Sequence, residues 1–307
     1  MSERMSRRKL LTAGATLAAA GWVGRSESAP SASPGMTVTL NTSTIRPTPL
    51  EQKVRIAAEM GYDGIELWSS ELEDHDRSGR SLEDLGKLIT DLGLFVPNVI
   101  GLWDSMPATQ EAWEQSLDGT RMRMRQAKAA GARHVAALPT PDRPDIDLEW
   151  CAARYRDLVL MGADIGIAPA IEFVGFFQGV HRLGQAMAIL IDANHEAARL
   201  VCDTFHLYRG GSMFKGIRHV NGHSVAVCHF NDVPSFPSQS ELGDEHRIYP
   251  GDGVLPLVEF VRDLHEIGFR GPLSIEMFNR AHWDQDPRVV ARTALEKTRT
   301  IIAAAIG

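Results

Sequence analysis

The feature that most constrains the fold of this 307-residue chain is a regular alternation of short apolar runs with amphipathic stretches. Eight of the apolar runs read as β-strands, at residues 37–41, 64–68, 95–100, 134–138, 167–173, 199–203, 225–231 and 272–278. The stretches between them carry apolar residues at helical spacing, and several end on glycine, as a helix C-cap does. Alternating β and α units predict a parallel sheet, and eight of them predict its closure into a single (β/α)8 TIM barrel.

The N-terminal segment does not fit this alternation. Residues 6–11 read SRRKLL, a weakly apolar Ala/Gly/Thr stretch follows, and a Ser/Pro/Ala tract then leads to the first strand. This order is typical of a cleavable twin-arginine export signal, so we expect signal and linker at residues 1–35 and the barrel at residues 36–307. The alternative is a basic, disordered tail on a cytoplasmic protein. Export would deliver folded protein to the periplasm, and the apolar run is too short to predict a stable membrane span.

Composition narrows the class of partner. The chain carries a net charge of −7, and removal of residues 1–29, which hold five basic and two acidic side chains, would bring it to −10. No block of Lys and Arg occurs beyond the N-terminus, so a nucleic-acid partner is disfavoured. Three cysteines are too few for a disulfide framework. The expected partner is a small molecule, and the sequence leaves the oligomeric state open, a dimer included.

Four strand-like runs in the second half of the chain each carry, within two residues of their carboxyl end, a residue that binds divalent metal ions. These residues are Glu172, Asp203, His229 and Glu276. Because the carboxyl ends of barrel strands meet at one mouth, three carboxylates and one imidazole would face a common point. Singly, each carboxylate could pair with an arginine and the histidine could be a core residue. Their recurrence at equivalent positions favours a site for one Mn²⁺ or Mg²⁺ ion, with Zn²⁺ or Co²⁺ able to substitute.

Two connections exceed the usual length in such units. Residues 69–80 follow the second predicted strand, and residues 232–253 follow the seventh. Long loops at the mouth of a barrel carry substrate contacts and lids. Both segments are therefore predicted to be loops that border the site.

Six segments carry a resemblance to a known family. They read GYDGIELW, IAPAIEFVGF, LVCDTFHLYRGGS, HFNDVPSFP, DEHRIYPGDGV and LSIEMFNRAHW. In these segments the chain resembles the xylose-isomerase-like TIM-barrel superfamily of sugar isomerases and epimerases, and within it most closely the inosose (2-keto-myo-inositol) isomerases. The match runs from the first strand to the last helix and leaves out only the predicted export signal.

The resemblance implies roles for individual residues. The four strand-end residues would hold the metal, and two of them, Glu172 and Glu276, would also be catalytic. His206 and Arg247 would contact substrate oxygens. Glu66, at the end of the GIE run, would contact substrate or support the site as the partner of a ligand.

Moving a carbonyl along a polyol requires removal of a proton from the carbon beside it, which leaves an enediolate. This chemistry suits what the resemblance implies, a divalent-metal-dependent isomerase or epimerase of a keto-sugar or inosose-type polyol that works through a metal-bound enediolate. Export is unexpected for a cytoplasmic inositol catabolic step, so a periplasmic keto-sugar or oxidised glycoside stays open as substrate. One alternative is a metal-dependent lyase of the same barrel, similar to 3-dehydroshikimate dehydratase or a keto-glycoside β-eliminase. Another is a periplasmic carbohydrate-binding barrel without catalysis.

Overall fold

The structure, a computed structural model, describes residues 35–307 and contains a closed barrel of eight parallel strands. Each strand pairs with the next along the chain, and β8 pairs with β1. The strands are β1 Thr37–Asn41, β2 Gly64–Trp68, β3 Val96–Leu102, β4 Ala132–Ala137, β5 Ala168–Glu172, β6 Arg199–Asp203, β7 Val225–Phe230 and β8 Pro272–Ile275. The predicted eight-stranded barrel is confirmed. The predicted export signal and linker lie, apart from residue 35, outside the described residues.

Helices follow the strands and cover the outside of the barrel. Within residues 35–307 they are α1 Leu50–Met60, α2 Ser69–Arg77, α3 Leu82–Asp91, α4 Gln110–Ala129, α5 Leu148–Ile165, α6 Leu183–Asp192, α7 Thr204–Arg209, α8 Leu257–Glu266, α9 Arg280–Trp283 and α10 Pro287–Ile306. Helix α1 ends at Gly61, whose φ of +85° lets its N–H bond back to the carbonyls of the last turn. In the described part of the chain, no helix is long and apolar enough to cross a membrane.

The alternation of side chains along each strand separates two buried layers. Outward-facing residues such as Ile65, Leu67 and Leu273 pack in a large cluster with the helices. Each such buried side chain contributes about 1.5–3 kcal/mol to folding. A smaller cluster, which includes Val201 and Val227, fills the barrel interior. The inward positions near the carboxyl ends of the strands are therefore left to polar residues.

The prediction of a loop at residues 69–80 is wrong, because most of this segment forms α2 over Ser69–Arg77. The Glu71 side chain accepts the backbone N–H of Trp68 at 3.1 Å and caps the helix. Ser69, Leu72 and His75, spaced three residues apart, form the buried face. Only one strongly apolar residue marks that face, so the segment lacks the periodicity that indicates a helix.

The second long connection does have the expected irregular form. Residues 232–253 contain two single turns of 3₁₀ helix, Gln239–Glu241 and Asp244–His246, and one isolated β-bridge between Asp232 and Ile248. This segment, extended to residue 255, is called the β7–α8 loop below. Arg247 lies within it, directly before the bridge.

Candidate active site

The four residues predicted to bind a metal converge at the mouth of the barrel. Glu172 ends β5, Asp203 ends β6, His229 lies near the end of β7, and Glu276 directly follows β8. The Nδ1 atom of His229 lies 3.1 Å from Glu172 Oε1, 3.3 Å from Glu276 Oε2 and 3.5 Å from Asp203 Oδ2. All four side chains are buried. The parallel strands thus bring together residues that are more than 100 positions apart in sequence.

The donor atoms fit a divalent cation. Candidate ligand atoms of Asp203, His229 and Glu276 lie within 4.8 Å of one another, and so do those of Glu172, Asp203 and His206. Carboxylate oxygens with one imidazole nitrogen suit Mg²⁺ and Mn²⁺, and also Zn²⁺. These residues could hold one divalent metal ion, and we call Glu172, Asp203, His229 and Glu276 the ligand cluster.

Glu66 lies behind the ligand cluster. Its Oε1 atom is 3.0 Å from His229 Nε2 and accepts a hydrogen bond from Asn98 at 2.7 Å, while its Oε2 atom accepts from Asn41 at 2.9 Å and Ser274 at 2.5 Å. Burial alone would raise the pKa of Glu66, but His229 and the hydrogen bonds from Ser274 and Asn98 lower it. The side chain is fully buried. The geometry therefore gives no support to a substrate contact by Glu66 and matches the alternative of a partner that orients a ligand.

Arg247 lies beside the ligand cluster and is buried. Its Nη1 atom is 2.8 Å from Asp203 Oδ2 and 3.2 Å from Glu276 Oε2, and its Nη2 atom is 2.8 Å from Asp244 Oδ1. The guanidinium also packs over the ring of Phe205, 4.4 Å from its centroid. Arg247 is thus a fixed positive charge at the mouth.

His206 occupies the first turn of α7. The Asp203 carboxylate caps this helix and accepts the backbone N–H groups of Phe205 at 2.6 Å and His206 at 3.1 Å. His206 Nε2 lies 3.3 Å from Arg247 Nη2, and its buried Nδ1 atom has no hydrogen-bond partner. Burial lowers the pKa of His206 and so favours the neutral ring. One buried ring nitrogen of His206 is therefore not used in a hydrogen bond within the protein.

The crowding of carboxylates governs the charges at this site. Burial would lower the pKa of His229, but the carboxylates around it, Glu276 foremost, raise it well above its ordinary value. Burial, with nearby carboxylate charge, raises the pKa of Glu276 well above the usual range. Burial would also raise the pKa of Asp203, but the Arg247 guanidinium beside it holds this pKa well below its usual range. The cluster concentrates negative charge that a cation can balance.

A cavity of about 140 Å³ is lined by two kinds of residue. The polar and charged ones are Glu172, His206, Asp244, Arg247 and Glu276. The others are apolar and largely aromatic, and we call the five aromatic ones, Trp68, Trp103, Phe176, Phe177 and Phe278, the aromatic wall. Sequence reasoning missed this aromatic wall. A usable signal was present, because each of these residues lies at, or a few positions beyond, the carboxyl end of a strand.

Comparisons with known proteins agree with the geometry. The family model described as Xylose isomerase-like TIM barrel matches residues 54–301. An inosose isomerase of Bacillus licheniformis is 26% identical over 271 residues, which cover 85% of this chain and 95% of that protein. A 3-dehydroshikimate dehydratase of Pseudomonas aeruginosa is 25% identical over 232 residues, covering 75% of this chain and 36% of that protein.

A solved structure shares the fold. The crystal structure of the IolI protein with a bound zinc atom superposes with a TM-score of 0.82 at 23% identity, covering 89% of this chain and all of the other. The family match spans most of the barrel, and the resemblance read from the six sequence segments is confirmed. This chain belongs to the xylose isomerase-like TIM barrel family.

Proposed function

We propose that the protein is a divalent-metal-dependent isomerase or epimerase that acts on an uncharged keto-sugar or inosose-type polyol through an enediolate. The observation that carries this proposal is the convergence of three carboxylate groups on His229 Nδ1, with Arg247 beside them. Isomerases of the same family are among its relatives.

The ligand cluster would hold the ion, with Mn²⁺ or Mg²⁺ preferred and Zn²⁺ or Co²⁺ able to substitute. The structurally similar IolI protein binds a zinc atom, which supports the proposal that this chain also holds a divalent metal. When bound, the ion would supply Lewis-acid stabilisation of negative charge on oxygen. Glu66 would hold the His229 ring through Nε2, so that Nδ1 faces the three carboxylates.

Glu172 and Glu276 are the proposed proton carriers. They approach His229 from β5 and β8, two strands that are not neighbours. One carboxylate would take the proton from the carbon beside the carbonyl, and the electrons of that bond would pass into the enediolate. A proton returned to the former carbonyl carbon, by the same glutamate or by the other, and a proton moved from the neighbouring hydroxyl to the former carbonyl oxygen would complete the isomerisation. Atoms are conserved, and no oxidant or reductant is needed.

Arg247 and His206 would stabilise the oxygens on which charge develops. The Arg247 guanidinium is held by Asp203 and Asp244 and lines the cavity, so it needs no reorganisation during the reaction. His206 contributes a buried ring nitrogen without a protein partner. Both residues line the cavity, as the two glutamates do.

The charges around the cavity favour an uncharged substrate. Among its lining residues in the described chain, Arg247 is the one Lys or Arg, and it is already paired with carboxylates. Arg46 packs over the Trp68 ring, 5.8 Å from its centroid, but is not part of the lining. A carboxylate or phosphate on the substrate would therefore face Glu172, Asp244 and Glu276 without an unpaired Lys or Arg side chain to balance its charge. A neutral ring could place its C–H face on the aromatic wall.

A lyase is the second candidate, because the 3-dehydroshikimate dehydratase relative is almost as similar in sequence as the inosose isomerase. Its chemistry would begin with the same proton removal and then expel a leaving group. Dehydroshikimate carries a carboxylate, for which the lining offers no unpaired cation. A neutral keto-glycoside would avoid this conflict, so β-elimination from such a substrate stays the stronger form of the alternative.

Product analysis in deuterated water separates the two reactions. Metal-loaded protein would be incubated with a panel of inososes and keto-sugars and followed by NMR. Isomerisation should give a product of unchanged formula with up to one carbon-bound deuterium, and with less where one glutamate returns the original proton. Elimination should give an unsaturated ketone that absorbs in the ultraviolet, with water or an alcohol. Loss of a leaving group from every substrate turned over would replace the isomerase proposal with the lyase.

A periplasmic location is part of the proposal. It is supported by the sequence SRRKLL at residues 6–11 and the small-residue tract that follows. In that compartment the substrate would be an extracytoplasmic keto-sugar or oxidised glycoside.

A further inference from the structure

Asp232 is a buried carboxylate that neither the ligand cluster nor the proposed chemistry uses. It stands at the start of the β7–α8 loop and is 1% exposed. Its Oδ1 atom accepts the backbone N–H groups of Val233 at 2.8 Å and Leu255 at 3.0 Å. Its Oδ2 atom accepts those of Gly251 at 3.1 Å and Gly253 at 3.0 Å. One side chain therefore ties the beginning of the loop to its end.

The backbone of Asp232 fixes the middle of the same loop. Its N–H donates to the carbonyl of Ile248 at 3.0 Å, and its carbonyl accepts the N–H of Ile248 at 2.9 Å. Ile248 directly follows Arg247, whose own carbonyl accepts a hydrogen bond from Asn279 at 3.2 Å. The position of the Arg247 backbone is thus set by Asp232 on one side and by Asn279 on the other.

The sequence PGDG at residues 250–253 permits this arrangement. A Cβ atom at Gly253 would lie 2.4 Å from Asp232 Oδ1 and 2.0 Å from the carbonyl oxygen of Val233, which is closer than atoms can approach. Gly251 has a φ of +87°, a backbone conformation that other residues rarely adopt. The two glycines let the loop amides reach the carboxylate.

We infer that Asp232 is a positioning residue, which anchors the β7–α8 loop so that the Arg247 guanidinium stays at the ligand cluster. The loop contains no strand or α-helix, so ordering it costs conformational entropy that the carboxylate and its four N–H partners offset. This inference rests on the proposed role of Arg247. If Arg247 contacts the substrate, then Asp232, which lies outside the site, affects turnover by holding Arg247 in place.

The test uses Asp232→Asn in the full-length, metal-loaded protein. An amide has one carbonyl oxygen, and its NH₂ group would face two backbone donors, so about half of the hydrogen bonds are lost while size is kept. Amide hydrogen exchange over residues 247–255 should become roughly 30-fold faster. Metal content should stay unchanged. Turnover of 2-keto-myo-inositol, used as the probe, should fall roughly 100-fold, because Arg247 is no longer held in place.

A double-mutant cycle tests whether the effect passes through Arg247. In an Arg247→Ala background, Asp232→Asn should lower turnover by less than about threefold, because the residue that it positions is already gone. Asp263→Asn is the matched control. Asp263 is also a buried carboxylate, but it binds Lys215 and Arg218 away from the loop. This control should leave exchange in the β7–α8 loop unchanged.

Two results would overturn the inference. One is loop exchange in Asp232→Asn that equals wild type, and the other is an equal loss of turnover with and without Arg247. Should Asp232→Asn fail to fold, Gly253→Ala disturbs the same contact and must show the same faster exchange. Wild-type turnover in Arg247→Ala would instead refute the proposed role of Arg247, and the exchange measurement would still decide whether Asp232 anchors the loop.

Discussion

At the residue scale, the site is centred on the imidazole ring of His229. His229 has carboxylates around both ring nitrogens, with Glu66 at Nε2 and the other three near Nδ1. The four predicted ligands could be read from the sequence because each lies at the carboxyl end of a strand of one sheet or one position from it. The partners of Glu66 could not, because Asn41, Asn98 and Ser274 are spread over more than 200 residues and carry no local pattern.

Glu66→Gln should weaken metal binding by roughly 10- to 100-fold, as loss of a partner that orients a metal-binding histidine typically does. The amide removes the negative charge that orients the His229 ring. Its NH₂ group would also face side chains that donate hydrogen bonds to Glu66 in the wild type. Affinity would be measured by competition with a chelator. Glu71→Gln is the control, since Glu71 pairs with Lys53 on α1, outside the cluster. Unchanged metal affinity in Glu66→Gln would mean that Glu66 does not orient the ligand.

Arg247→Ala should keep the metal and lower kcat by roughly 100- to 1,000-fold, the range for loss of one group that stabilises a developing oxyanion. Steady-state kinetics on the substrate found by the NMR panel, together with metal analysis of the same samples, checks both parts. Wild-type turnover would show that the β7–α8 loop contributes no catalytic contact.

At the scale of elements, the sequence predicted most of the strands and helices whose apolar residues recur at a regular spacing. Three strands, β1, β2 and β6, begin and end where the pattern predicts, while β8 ends at Ile275 and leaves Glu276 just beyond it. Helix α2 was missed, because its buried residues, Ser69, Leu72 and His75, include only one strongly apolar side chain. The anchoring of the β7–α8 loop could not be foreseen either, since it depends on backbone N–H groups that every residue has.

The aromatic wall gives a prediction at this scale. Trp68, the last residue of β2, stacks on Trp103 with ring centroids 6.4 Å apart and meets Phe278 edge-on. Trp68→Ala should raise KM roughly tenfold for a cyclic substrate and leave metal content unchanged, because it removes stacking area and no ligand. Trp150→Ala, on α5 and outside the cavity, is the control. A KM equal to wild type in Trp68→Ala would exclude the wall from substrate binding.

At the scale of the whole molecule, export should depend on the arginine pair near the N-terminus. Replacing Arg7 and Arg8 by lysine keeps the charge but removes the feature that the twin-arginine pathway reads. The precursor should therefore accumulate in the cytoplasm, folded and active, as judged by cell fractionation and by activity in each fraction. Periplasmic delivery at the wild-type level would point to another route.

The proposed reaction depends most on one metal ion held by the ligand cluster. The direct measurement is the divalent metal content per chain, by mass spectrometry, after loading with Mn²⁺ and removal of free ion. Wild type and Asp263→Asn should retain one ion, and Glu172→Ala and His229→Ala should lose most of it, because the remaining carboxylates then repel one another with fewer ligands to hold the cation. Full occupancy in both ligand variants would contradict the assignment.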